Sequence, residues 1–214
     1  MAARIGVFAA LYIATSLIPV SMFIGAPSFL ALSLIITPTI AVLLSPLEAF
    51  LASLFGGIIA LYVAPFQAMF GPFTILLPTA GSTFGSLTYH KRKRGSFVTV
   101  LFLAATISAY LARNFPFPYF VIPHSMAILV VLITSFKKMT PLGISMPLYT
   151  FVATMCEQGM MMIFAVYLLA LPWQAFVGIL PVMVYERLLG TLGASAIVIS
   201  LRKTIPKYFA QEKF

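Results

Sequence analysis

Hydrophobic positions run along this chain in long blocks, separated by short punctuation. The blocks predict helices at Ile5–Ile24, Phe29–Leu44, Leu47–Ala64, Phe70–Tyr89, Ser96–Ala112, Tyr119–Phe136, Met146–Leu171 and Trp173–Leu201. The breaks carry proline, glycine or charge: GAPS, SP, APFQ, KRKRG, RNFPFP, KKMTPLG and LPW. Proline punctuates helices because it lacks an N–H and clashes with the preceding turn. A helix crossing a bilayer needs about 20 apolar residues, somewhat fewer at minimum. The pattern therefore predicts an all-α fold: a polytopic transmembrane helix bundle of eight candidate segments, forming one integral membrane domain over residues 1–214. Phe29–Leu44 is short and Phe70–Tyr89 holds Pro72 and Pro78, so each also reads as a partial or re-entrant segment. Six full spans is the second count. The opening MAARIGVFAALYIATSLI has an apolar run long enough to span and no clean polar cleavage region, so it reads as a retained first helix.

Composition agrees with the pattern. The chain is 62% hydrophobic and 8% charged, against about 25% charged in soluble domains. The net charge of +9 sits at helix ends, which points to membrane orientation and not to nucleic acid. With Arg4 and the N-terminus placed in the cytoplasm, the inner breaks hold Lys91, Arg92, Lys93, Arg94, Lys137 and Lys138, and the inner tail holds Arg202, Lys203, Lys207 and Lys213. Outer breaks hold only Arg113. This predicts a multi-pass protein of the cell membrane with both termini cytoplasmic. The lone Cys156 leaves no internal disulfide to form.

Charges inside the blocks are few. Ionisable groups at bilayer depth are expensive and are functional candidates by default. Three qualify: Glu157, Glu186 and Arg187. The last two blocks predict an antiparallel hairpin turning at Leu171-Pro172-Trp173. Glu157 precedes Pro172 by 15 positions and Glu186 follows it by 14, so each is about 21–22 Å from the turn at about 1.5 Å per residue. Sequence neighbours on a helix point about 100° apart. Glu186 and Arg187 are thus expected not to pair cleanly. Arg187 is expected to pair with Glu157, leaving Glu186 with a separate donor or protonated. The network suits a ligand or coupling site, and it suits a structural ion-pair clasp somewhat better.

A second cluster falls at predicted outer ends: Gln67, Arg113, Asn114, Tyr119, His124, Trp173 and Gln174. Aromatic rings with a few convergent polar groups suit a small flat ligand; they also suit an interfacial aromatic belt. Tyr149, Ala153 and Glu157 share one helical stripe that would floor such a pocket. The ligand-binding candidates are accordingly Asn114, Tyr119, His124, Tyr149, Glu157, Trp173 and Gln174. Cys156 with Met160, Met161 and Met162 offers soft donors for Cu(I), but flexible packing accounts better for a run pointing three ways around a helix. Histidine is too sparse for a nickel or cobalt site, so no metal and no cofactor is expected. There is no Asp in the chain, and no HExxH, P-loop or GxSxG. An enzyme is not expected.

The first block places Ala2, Gly6, Ala10 and Ala14 four apart, on one helical ridge. Small ridges let helices approach closely in lipid, whether the partner is the protein's own helix or another chain. This ridge in GVFAALYIA, the helix-turn-helix stretch LLSPLEAFLASLFGGI, the segment TAGSTFGSLTYHKRKRG and the C-terminal WQAFVGILPVMVYERLLGTLGASAIVISLRK together resemble substrate-binding S components of energy-coupling-factor transporters. These are small, basic, helical proteins, usually of six helices. They capture vitamins or other micronutrients and dock on a transmembrane subunit driven by two ATPases. The resemblance implies a small-molecule substrate taken from outside. It implies a transmembrane coupling subunit and two ATPase subunits as partners, beside the lipid bilayer. It also implies that Gly6, Ala10 and Ala14 belong to the face meeting the coupling subunit. A second reading is a non-catalytic structural subunit of a larger membrane complex. A third is a membrane enzyme using Glu157 and Glu186 as acid and base.

Overall fold

The computed structural model describes residues 1–22, 29–136 and 142–205. Lys137, Lys138, Lys207 and Lys213 lie outside the described residues. Seven helices follow in order: α1 (Ala2–Ser16), α2 (Ser33–Leu43), α3 (Pro46–Val63), α4 (Leu76–Asn114), α5 (Ile122–Phe136), α6 (Leu142–Tyr167) and α7 (Trp173–Thr204). Between α1 and α2, strands β1 (Pro19–Met22) and β2 (Phe29–Ala31) pair antiparallel. Short 3-10 turns at Pro65–Gln67, Gly71–Ile75 and Pro118–Val121 lead into the helices that follow.

Among the described residues the fold is helical apart from that hairpin. Among the described residues, five helical segments are long and apolar enough to cross a membrane, with bounds Pro46–Val63, Gly71–Asn114, Pro118–Phe136, Leu142–Tyr167 and Trp173–Thr204. Eight spans are not supported. The block Ile5–Ile24 yields a helix that stops at Ser16, because the chain turns into β1 at Pro19. The block Phe29–Leu44 gives a helix of 11 residues, its first positions being used by β2. The blocks Phe70–Tyr89 and Ser96–Ala112 merge into α4, which bends sharply at Arg92 (φ 36°, ψ −115°). A positive φ is costly for a residue with a side chain. Here it turns the chain back on itself. Across the bend the Thr88 hydroxyl meets that of Thr99 at 2.9 Å, and the Phe84 and Phe102 rings stack at 4.1 Å. A Cβ on Gly95 would lie 1.9 Å from the Leu87 carbonyl oxygen, so only glycine permits this approach.

The α2–α3 junction shows why Ser45, Pro46 and Glu48 stand together. Ser45 and Glu48 form a capping box and Pro46 opens α3. In such a box, side chains satisfy backbone donors that a helix start leaves orphaned. The Ser45 N–H donates to Glu48 Oε2 at 3.2 Å. Arg4 adds an ion pair to Glu48 at 3.8 Å and a hydrogen bond to the Leu43 carbonyl at 2.6 Å. The start of α1, the α2–α3 turn, the α4 bend and the end of α7 are drawn to one end of the bundle, where Arg202 bonds to the Tyr89 hydroxyl.

Helix α6 is the centre. In its apolar window 72% of residues are buried, against 33–44% for the other long segments. The exterior is apolar: Met126, Leu129, Leu132, Leu188 and Leu192 are all exposed. An apolar exterior around self-satisfied helices is what a bilayer requires. Inside, Tyr110, Phe120 and Phe176 pack with centroids 4.9–5.3 Å apart. Met161 and Met162 fill the same cluster, as soft, adaptable side chains do.

Candidate functional site

Three positions pair across α6 and α7, each pair nearly equidistant from the Pro172 turn. Thr150 shares a hydrogen bond with Ser195 at 2.8 Å and donates to the Thr191 carbonyl at 3.1 Å. Thr154 meets Thr191 at 3.4 Å. One turn further, Arg187 lies 3.9 Å from Glu157, and its Nη1 donates to the Thr154 carbonyl at 3.4 Å. The polar stripe Arg187–Thr191–Ser195 therefore faces α6. The other stripe of α7 faces α2, where a Cβ on Gly190 would sit 3.0 Å from the Leu34 carbonyl oxygen.

Glu186 and its neighbour make a loose contact and no hydrogen bond, in keeping with the expectation that they do not pair cleanly. Arg187 Nη2 lies 3.9 Å from Glu186 Oε2, because a long guanidinium side chain bridges the angular gap between adjacent positions. One guanidinium thus serves two carboxylates. All three side chains are almost fully buried, at 3–8% exposure.

Glu157 has a second neighbourhood. With Tyr12 of α1, Ser33 of α2, Gln67 and Thr74 it lines a small cavity beneath the α1–α2 connection, with room for about one water. The Ser33 hydroxyl donates to Gln67 Oε1 at 3.3 Å, while Gln67 Nε2 turns away to the Ser16 carbonyl. The Ser16 hydroxyl donates to the Tyr12 carbonyl at 2.7 Å, and Thr37 donates to the Ser33 carbonyl at 3.4 Å.

The predicted outer cluster divides. Arg113, Asn114 and Trp173 converge on an open pocket of about 250 Å³, walled by Val166, Leu171 and Pro172. Asn114 is 2% exposed, and its Nδ2 has no hydrogen-bond partner. The Arg113 guanidinium stacks 4.9 Å over the Tyr167 ring. Tyr119 and Gln174 are exposed near this end and do not line the pocket. His124 is fully buried beside Phe120 at 6.2 Å, its ring nitrogens without hydrogen-bond partners. Gln67 joins the Glu157 cavity instead.

Tyr149 does not reach either cavity. Its stripe with Ala153 and Glu157 packs on Gly81, Gly85 and Tyr89 of α4. Cβ atoms added at Gly81 and Gly85 would meet Glu157 and Ala153 at 2.8 and 2.5 Å, and the Tyr149 and Tyr89 rings lie 4.9 Å apart. The stripe expected to floor a pocket is a helix seam at those positions.

Gly6, Ala10 and Ala14 are exposed, and nothing lies within 4 Å of a Cβ built on Gly6. The inward face of α1 is Ala9, Tyr12 and Ser16 instead. Tyr12, Ser33 and Thr37 were not among the sequence candidates. Ser33 and Thr37 stand four apart on α2, which places both on one face; that spacing was the available signal.

The chain matches no family model, no curated protein and no solved structure. What fold and composition define is a class: a predominantly helical, membrane-like protein with buried charge.

Proposed function

We propose that this chain is the membrane-embedded substrate-binding subunit of an energy-coupling-factor-type uptake transporter, capturing a small vitamin-like or micronutrient ligand from outside. The observation that carries this reading is the pocket of Arg113, Asn114 and Trp173. It has about 250 Å³ of space, close to the smaller end of ligand pockets, at about 300 Å³. It offers a guanidinium, an indole and the buried, unpartnered amide of Asn114. Such groups suit a planar ligand with an acceptor at its edge.

Two features support the rest. The outward ridge of Gly6, Ala10 and Ala14 leaves a close-approach face for a coupling subunit. The bases Arg4, Lys91, Arg92, Lys93, Arg94, Arg202 and Lys203 favour the end opposite the pocket as the cytoplasmic one. Both termini are then inside and the pocket opens outward. Energy comes from partner ATPases, since the chain carries no nucleotide-binding motif.

Native mass spectrometry of the full chain, purified in detergent without added ligand, tests this. A co-purifying small molecule is expected, and Asn114→Ala and Trp173→Ala are expected to lose it. Isolation in a stable multi-subunit assembly that contains no small molecule would overturn capture in favour of a structural subunit.

A further inference from the structure

At the bend of α4 four bases stand in succession: Lys91, Arg92, Lys93 and Arg94. Lys91, Lys93 and Arg94 are exposed and Arg92 is half-buried. The chain holds only four acidic residues. Of the three described, Glu157 and Glu186 are buried beside Arg187, and Glu48 is engaged by Ser45 and Arg4. Among the described residues, no carboxylate forms an ion pair with the four bases. The bend therefore carries a run of positive charge that no described acid offsets.

Length places this charge. The segment Gly71–Asn114 has 44 residues, about 66 Å at about 1.5 Å per residue, twice the apolar core of a bilayer at about 30 Å. Its arms, 71–91 and 93–114, each suit one pass, which puts the bend at a membrane surface. Beyond the bases, Phe97, Val98 and Leu101 are exposed at 64, 43 and 53%. They stand three, four and seven positions after Arg94, on one helical face. Cations above an outward apolar stripe complement a lipid, which sets an anionic phosphate above acyl chains. A soluble anion, or an acidic protein docked on the end of the bundle, would leave that stripe unused. The bend is also braced: Thr88 meets Thr99 at 2.9 Å, and a Cβ on Gly95 would strike the Leu87 carbonyl. The backbone that carries the bases is thus set before anything binds.

We propose that the α4 bend binds one anionic phospholipid, its phosphate held by Lys91, Lys93 and Arg94 and its acyl chains laid along Phe97, Val98 and Leu101. The lipid offsets the repulsion among neighbouring bases and anchors the bend at the membrane surface. This proposal does not depend on the ligand-capture reading.

The test is native mass spectrometry of the full chain in detergent, titrated with phosphatidylglycerol or with phosphatidylcholine of the same acyl chains. One saturating phosphatidylglycerol per chain is expected, bound at least about tenfold more tightly than phosphatidylcholine. Changing Lys91→Gln, Lys93→Gln and Arg94→Gln together is expected to remove that preference. Should this triple variant fail to fold, single changes keep the test open. Arg94→Gln is expected to weaken phosphatidylglycerol about fivefold. Lys203→Gln, which removes the same charge at the same end of the bundle, is expected to weaken it by less than about twofold. Phe97→Ala is expected to weaken it with no change of charge. Equal binding of the two lipids would overturn the proposal. So would equal losses in Arg94→Gln and Lys203→Gln, which would show a diffuse charge effect. Displacement of the lipid by glycerol phosphate would overturn it in favour of a soluble anion, and no bound lipid at all would leave the bases to an acidic protein partner.

Discussion

Two stripes of small residues run through this molecule with the same spacing and opposite fates. Gly81 and Gly85 on α4 face inward, where Cβ atoms would meet Glu157 and Ala153 at 2.8 and 2.5 Å. Gly6, Ala10 and Ala14 on α1 face outward, and a Cβ on Gly6 meets nothing within 4 Å. Spacing alone says that a helix can be approached closely. It does not say by whom. The difference lies in what sits opposite: α4 meets the central, mostly buried α6, whereas α1 turns its Tyr12 face to α3 and leaves the ridge open.

The comparison can be broken at four places. The inward side is held by Arg187, so Arg187→Leu removes the cation that lies 3.9 Å from both Glu157 and Glu186. A loss of about 3–5 kcal/mol is expected, read as early unfolding in a detergent thermal melt. A fold and an uptake activity both unchanged by this variant would remove the clasp and the site together. Next, Gly85→Val forces a branched side chain into Ala153 and Ala41. About 1–3 kcal/mol is expected to be lost, and a melt identical to wild type would show that α4 and α6 do not pack there.

Smaller effects sharpen the contrast. Thr150→Val removes the hydroxyl shared with Ser195 and Thr191. Interhelical hydrogen bonds in membranes average about 0.6 kcal/mol, so a small fall in melting midpoint is expected. Finally, Gly6→Leu on the open face is expected to shift the isolated chain's stability by no more than about 0.5 kcal/mol. The same variant is expected to abolish co-purification with the coupling subunit proposed above. Loss of stability in the isolated chain would mean that α1 packs inward after all.

Part of this was legible in the sequence and part was not, for definable reasons. Arg187 and Glu157 could be matched because a hairpin pivoting at Pro172 places residues equally far from the turn at equal depth, and helical rise is a constant. The bend in α4 was partly visible: KRKRG is a charged break, although the helical assignment runs through it. Spans were overcounted at Ile5–Ile24 and Phe29–Leu44 because an apolar run does not distinguish a helix from a short strand pair. The loose contact of Arg187 with Glu186 at 3.9 Å could not be read from angular spacing, which describes Cβ directions while the guanidinium reaches well beyond them.

The sequence by itself determined the class of solvent this chain folds in, the helices α3 to α7, and the depth shared by Glu157 and Arg187. These follow from local facts: hydrophobic run length, proline and glycine placement, and constant helical rise. Only the tertiary structure decided which small-residue stripe faces inward and that one arginine serves two acids. It alone gathered Tyr12, Ser33, Gln67 and Glu157 around one cavity. Those outcomes depend on which surfaces meet among elements distant in sequence, and no local pattern records a neighbour that arrives only on folding.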